Sequence, residues 1–136
     1  MKHIFISHAW KYNSDYEKIV QWLNEAKAEG ILEWKNYSVP SHSPLIDPNS
    51  NSGKYILENE LNDQIKPASI VIVIGGMYAA YSNWIEYEIK TAVKYGKYII
   101  AVEPWGQQRV PTIIQNNCNV SVGWNKSSVI NAIKKA

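Results

Sequence analysis

Residues 69–76 read Ser-Ile-Val-Ile-Val-Ile-Gly-Gly. Five β-branched residues in succession favour an extended chain, and an unbroken apolar run suits a strand buried on both faces, as in a parallel sheet. The glycine pair then ends the strand and lets the backbone pass close to a ligand; its simplest role is a tight turn. Outward from this run, strand and helix patterns alternate. Residues 2–7 (KHIFIS) predict a short strand. A helix opens at Ser14, where Ser14 and Glu17 have capping-box spacing, carries Ile19, Val20, Leu23 and Ala26 on one face, and stops at Gly30. Residues 31–36 predict a second strand, 97–102 (KYIIAV) a fourth and 118–122 a fifth at an edge.

Helices are expected at Tyr55–Ile65, stopped by Pro67, from a cap at Ser82 or Asn83 to Gly96, and from Ser127 or Ser128 through Ile133, with a weak helical turn within 103–117. The alternation implies one three-layer, flavodoxin-like α/β domain over 1–136, with a five-stranded parallel sheet in the order 2-1-3-4-5 and right-handed crossovers. Ligands of such sheets bind beyond the carboxyl ends of the strands. The places to look are thus His8–Asn13, Tyr37–Ser52 and Gly75–Tyr81. The second, YSVPSHSPLIDPNSNS, holds three prolines and no steady periodicity, and loops of that length in a compact domain are often functional.

Composition narrows the class. A net charge of +2, with scattered Lys and Arg, gives no footprint for nucleic acid. A single cysteine, Cys118, rules out an intramolecular disulfide and fits a reducing compartment. No stretch approaches the roughly 20 apolar residues of a membrane helix, and the opening apolar run is short for a signal peptide, so a cytoplasmic protein is expected. Six Trp and nine Tyr stand against one Phe, a bias toward amphipathic rings found at core edges and in ligand pockets.

Chemistry concentrates on SNWIEYEIKTA, 82–92. Ile85, Ile89, Ala92 and Val93 mark an inward stripe and Glu86 falls toward solvent. Glu88, one turn after Trp84, borders the stripe. A carboxylate there is either salt-bridged at the helix edge, to Lys11 or Lys90, or set at the floor of a wet cleft beside an aromatic wall, where desolvation raises its pKa and suits it to acid–base or electrostatic work. Ser7, His8 and Trp10 end the first strand and point at the same cleft. His8 has no partner spaced for a triad, and His3, His8 and His42 lack metal-ligand spacing, so no metal is expected. A phospho-receiver reading fails for want of clustered aspartates at strand ends.

HIFISHAW (3–10) resembles the opening of a TIR domain, and SNWIEYEI (82–89) resembles the TIR helix signature S-x-W-x-x-x-E, matched by Ser82, Trp84 and Glu88. Together with WKNYSVP, SIVIVIGGMYAAYSNWIEYEI, YIIAVEPWGQ and VGWN, the chain resembles throughout a TIR-like family first known from a methanogen protein of flavodoxin-like fold and related to the TIR proteins of Thoeris anti-phage systems. The resemblance implies cleavage of NAD at the nicotinamide–ribose bond, to linear or cyclic ADP-ribose, with NAD as substrate and no cofactor. It implies that Glu88 is catalytic, that Trp84 lines the nicotinamide side, and that Ser7, His8, Ala9, Trp10 and Lys11 line the ribose and phosphates; strand order, with the first and third strands as neighbours, puts Gly75 and Gly76 at the floor of the same cleft. It further implies self-association through TIR–TIR contacts, a phage protein as trigger and an effector reached by a nucleotide signal. The long 37–52 segment departs from the family's loop after the second strand, so no contact of that loop is carried over. A non-enzymatic TIR–TIR interaction module is the alternative, and a nucleoside ribosyl-transfer enzyme would share the glutamate chemistry.

Overall fold

The computed structural model describes residues 1–6, 14–38, 62–74, 78–103 and 112–136, with backbone alone for 78–84. Strands β1 (Lys2–Ile6), β2 (Trp34–Asn36), β3 (Ile70–Ile74), β4 (Tyr98–Val102) and β5 (Val120–Val122) form a sheet in the order β2-β1-β3-β4-β5, and every pairing is parallel. Helices α1 (Ser14–Ala28), α2 (Tyr78–Lys94), α3 (Thr112–Asn117) and α4 (Lys126–Lys135) connect or follow them. Residues 62–65 are also helical, consistent with the expected helix before Pro67, whose remainder lies outside the described residues.

The apolar run behaves as its composition demands. All five residues of β3 are buried, and its register to β4 runs from Ile70 against Tyr98 to Ile74 against Val102. The chain passes from β1 to β2 in one direction and from β3 through β4 to β5 in the other. With right-handed crossovers, this places α1 on one face and α2 and α3 on the opposite face. α4 packs on α1, and α2 on α3. The strand order therefore reverses between β1 and β3, where Ile6 pairs with Ile72. That is the switch point at which doubly wound sheets open a crevice.

α1 and α2 end in the same way. Gly30 and Gly96 take φ of 75° and 66°, a left-handed conformation that glycine adopts without a Cβ penalty. In α1 the Gly30 N–H bonds the Lys27 carbonyl and the Ile31 N–H the Ala26 carbonyl; in α2 Gly96 bonds Val93 and Lys97 bonds Ala92. These paired bonds are Schellman motifs and they satisfy the last free carbonyls.

Three expectations are corrected. α2 begins at Tyr78, not after a cap at Ser82 or Asn83, so those residues lie within its second turn. α4 begins at Lys126, because Asn125, extended at φ −153°, accepts the Ser128 N–H on its side chain and so takes the cap ahead of either serine. Val93 does not belong to the inward stripe of α2, since it is 52% exposed. Among the described residues, no helix is long and apolar enough to cross a membrane.

Candidate functional site

Among the described side chains of α2, none of Ile85, Glu88, Ile89 and Ala92 is more than 2% exposed, and Thr91 beside them is buried at 9%. The spacing of the first four, i, i+3, i+4 and i+7, is that of a core-facing helical stripe. Glu88 thus lies within the core-facing arc and not merely at its border, and Val93, expected in the arc, lies outside it. It is 0% exposed, and its Oε2 is wholly buried. Holding a charge there requires hydrogen bonds or positive charge at close quarters. Lys90 is not a partner from its own helix: residues two apart point different ways, and Lys90 is exposed while Glu88 is sealed. Thr91, one turn on, spends its single hydroxyl proton on the Tyr87 carbonyl at 2.7 Å.

The height of Glu88 follows from element lengths. The seventeen residues of α2 span about 25 Å, whereas five-residue β3 spans about 16 Å, so the first turns of α2 extend beyond the carboxyl edge of the sheet. α2 ends where β4 begins, after a turn at 95–97. Counted back from Lys94, Glu88 lies about 9 Å along the helix. Ile74 lies about 13 Å along β3 from Ile70, so the glutamate sits within about one helical turn of the carboxyl edge. It is buried on the helix that follows the switch-point strand.

Of the other residues expected at the site, Trp84 lies in α2 one turn before Glu88, and its side chain is not described. Ser7, His8, Ala9, Trp10, Lys11, Gly75 and Gly76 lie outside the described residues, as does His42. Ile6 is the last residue of β1 and Ile74 the last of β3. His3 is structural: its Nδ1 is 3.0 Å from the Tyr37 hydroxyl, and the two rings stack at 5.2 Å. Among the described residues no cluster of His, Cys, Asp and Glu could hold a metal ion. Burial pushes the Cys118 thiol up, with the nearby Glu103 charge adding to the shift, which disfavours the nucleophilic thiolate.

A polar cluster at the carboxyl end of β2 had no sequence signal. Asn36 Nδ2 donates to the Tyr16 hydroxyl at 3.2 Å, the Tyr16 hydroxyl lies 3.3 Å from Ser38 Oγ, and Ser38 Oγ donates to Asn36 Oδ1. The Ser38 N–H also donates to Oδ1, at 2.8 Å. Ser38 is 1% exposed. Asn36 ends a three-residue strand, Ser38 lies two residues beyond it and Tyr16 is in the first turn of α1, too far apart in sequence for periodicity to link them.

A three-layer parallel α/β domain with a fully buried carboxylate on the helix that follows β3 is the class that fold and site define. The family model described as Thoeris protein ThsB, TIR-like domain, matches residues 5–109, and the chain belongs to that family. No curated protein matches. Among solved structures the chain is similar to a 2-deoxyribosyltransferase from the psychrotolerant bacterium Bacillus psychrosaccharolyticus, at 16% identity and TM-score 0.60, covering 95% of this chain and 90% of that one. It is similar to the CMP N-glycosidase BcmB of Clostridium botulinum, at 17% identity and TM-score 0.57, covering 98% and 99%. A de novo designed Rossmann 2x3 protein is similar at 14% identity and TM-score 0.55, covering 98% and 86%. At these identities the likeness is one of fold.

Proposed function

We propose that this TIR-like domain cleaves NAD at the nicotinamide–ribose bond and releases an ADP-ribose product, linear or cyclic, as a signal in anti-phage defence. The observation that supports the reading is the complete burial of Glu88, the motif glutamate, on the helix that follows β3 in a domain belonging to the Thoeris TIR-like family. Evolution seldom seals a carboxylate in a core without a task for it, because the same position filled by an apolar side chain would cost nothing in desolvation.

The chemistry asks little beyond that carboxylate. The nicotinamide nitrogen is already cationic, so the electron pair of the C1′–N bond can depart to it without a proton donor. The ribose left behind is oxocarbenium-like, and a preorganised anion below it stabilises the developing charge and holds the ribose hydroxyls. Water then attacks C1′ and loses a proton to give linear ADP-ribose, or a nucleophile within the same molecule closes a ring. In this reading Trp84 stacks on the cationic ring. Residues Ser7–Lys11 line the ribose and phosphates, and Gly75 and Gly76 let the backbone approach. NAD is substrate and no cofactor is needed. The domain would self-associate through TIR–TIR contacts, respond to a phage protein and signal to an effector.

The test is incubation of concentrated protein with NAD, and in parallel with CMP and a deoxynucleoside, followed by mass spectrometry. Release of nicotinamide with an ADP-ribose product, absent from a Glu88→Gln variant, supports the reading. Turnover of CMP or the deoxynucleoside alone would assign the glutamate to another N-riboside. No turnover of any substrate at high concentration, with self-association retained, would leave the interaction module as the function.

A further inference from the structure

Met1 apart, two large aliphatic side chains stand well exposed among the described residues: Ile31 at 45% and Val93 at 52%. A lone exposed aliphatic is ordinary. These two have unlike and complementary surroundings. Val93 lines a groove of about 350 Å³ between α2 and α3, together with Ile89, Ile113 and Asn117. Lys90 and Lys94, both exposed, line it as well. Among the described residues neither lysine is paired with a carboxylate, and the Lys94 ammonium lies 5.4 Å from the centre of the Tyr95 ring. Like charges four residues apart on a helix repel, and an anion laid beside them relieves the repulsion.

Ile31 lies on the other side of the sheet, in the turn that ends α1, and lines a groove of about 330 Å³ between α1 and α4. Carboxylates flank it in sequence: Glu29 lines the same groove, Glu33 follows two residues on, and both are exposed. Lys126 is shared between Glu25 and Glu29, 3.3 Å from each, so that cluster keeps one negative charge in excess. Glu33 has no cationic partner among the described residues, and Lys35 lies over the Tyr37 ring, 5.1 Å from its centre. One exposed aliphatic is thus flanked by carboxylates and the other by ammonium groups.

We infer that these two surfaces bind each other between copies of this chain: Ile31 of one copy enters the Val93 groove of the next, where Glu29 and Glu33 meet Lys90 and Lys94. α1 and α2 cover opposite faces of the sheet, so the contact is heterologous. A dimer keeps one free surface at each end, and association continues beyond it. One aliphatic knob and two charge pairs make a contact small beside the roughly 1,200–2,000 Å² of a stable interface, so it forms in concentrated protein and weakens with salt. The inference rests on the self-association within the proposed function and not on NAD cleavage.

Sedimentation velocity over a hundredfold concentration range, at low and high salt, tests it. The parent should associate at low salt, its mean mass still rising past that of a dimer. Val93→Ser and Ile31→Ser should each need about tenfold more protein to reach the same mean mass, as loss of one central apolar contact requires. Lys90→Glu with Lys94→Glu, and Glu29→Lys with Glu33→Lys, should each abolish association alone and restore it when mixed in equal amounts, because each reversed surface then meets its opposite. A general change in solubility or stability would not produce that recovery. If a reversed protein fails to fold, the two serine variants decide. A parent that stays monomeric throughout overturns the inference together with the self-association reading. Association that survives all four variants, or that stops at a dimer, assigns self-association to another surface and overturns this one alone. Loss in both reversed proteins without recovery in the mixture shows that the two surfaces do not meet. No outcome depends on NAD turnover.

Discussion

Glu88 and Val93, five residues apart on α2, fall on opposite sides of its buried arc: the carboxylate, expected at the border of the inward stripe, is 0% exposed, and the isopropyl group, expected within it, is 52% exposed. The rotation of a helix about its axis is set by all its inward residues together. Here Ile85, Ile89 and Ala92 fix it, and Glu88 shares their arc while Val93 falls just outside.

That rotation is checkable by stability alone. Ile89→Ala should cost about 2–5 kcal/mol, as a buried Ile truncation does. Val93→Ser should stay within about 0.5 kcal/mol of the parent. Urea melts of the two variants decide it. Comparable losses would mean that α2 is turned toward the Val93 side and that Glu88 is nearer solvent than its burial indicates.

The strands were legible where β-branched and aromatic residues cluster in short apolar runs. β1, β3 and β4 fall within about a residue of their expected bounds, since Ile and Val runs have few other conformations that bury them. β2 was legible only in part: of residues 31–36, only Trp34–Asn36 pair, because Ile31 is engaged in the turn that ends α1. Helix starts were the weak point. Ser82, Asn83, Ser127 and Ser128 all have cap chemistry, but α2 already runs from Tyr78 and Asn125 stands ahead of both serines. At the site, the motif residue Glu88 was visible and its depth was not, since a polar residue interrupts the very periodicity that measures burial. The hydrogen-bonded cluster of Tyr16, Asn36 and Ser38 was invisible because Tyr16 and Asn36 are twenty residues apart and only the fold brings them together.

Lys126 spans the two helices of one face, with Nζ 3.3 Å from both Glu25 and Glu29 of the α1 end. Hydrogen bonds from Gln21 and Lys126 hold the Glu25 carboxyl below its ordinary value. A carboxylate whose folded pKa is lowered stabilises the fold above its unfolded pKa, and that contribution is lost as pH falls through the folded one. Lys126→Ala should therefore melt slightly below the parent at neutral pH and low salt. The gap should close in acid and in high salt, because the groups are exposed and screened. Melting curves at two pH values and two salt concentrations test this. A gap that persists in acid would assign the effect of Lys126 to its packing stem instead.

Activity is expected to depend on protein concentration. The segment at 37–52 contains Pro40, Pro44 and Pro48, which restrict it and deny it backbone donors, so it is poorly suited to closing a site within one molecule. Specific activity toward NAD should be low in dilute protein and rise on concentration or on addition of a phage component. Measurement across a hundredfold dilution series, with the oligomeric state followed in parallel, is sufficient. Constant specific activity in a monomer would remove self-association from the mechanism.

Glu88→Gln keeps the size and much of the hydrogen bonding of the side chain and removes its charge. If that charge stabilises a cationic ribose, the loss falls on the transition state and not on substrate binding. The expected effect is about 10²-fold or more in kcat, equivalent to about 2.7 kcal/mol or more, with KM little changed. Stability should be unchanged or higher, because a neutral amide costs less to bury than a carboxylate. Glu86→Gln, two residues away on a part-exposed side of α2, is the control and should retain parental rate. The pair of measurements separates three roles for the buried glutamate. A rate loss at constant melting temperature marks a catalytic group. A fall in melting temperature together with activity marks a structural ion-pair partner. A folded, equally stable and fully active Glu88→Gln protein would remove Glu88 from the chemistry, and the burial of its carboxylate would then need a different explanation.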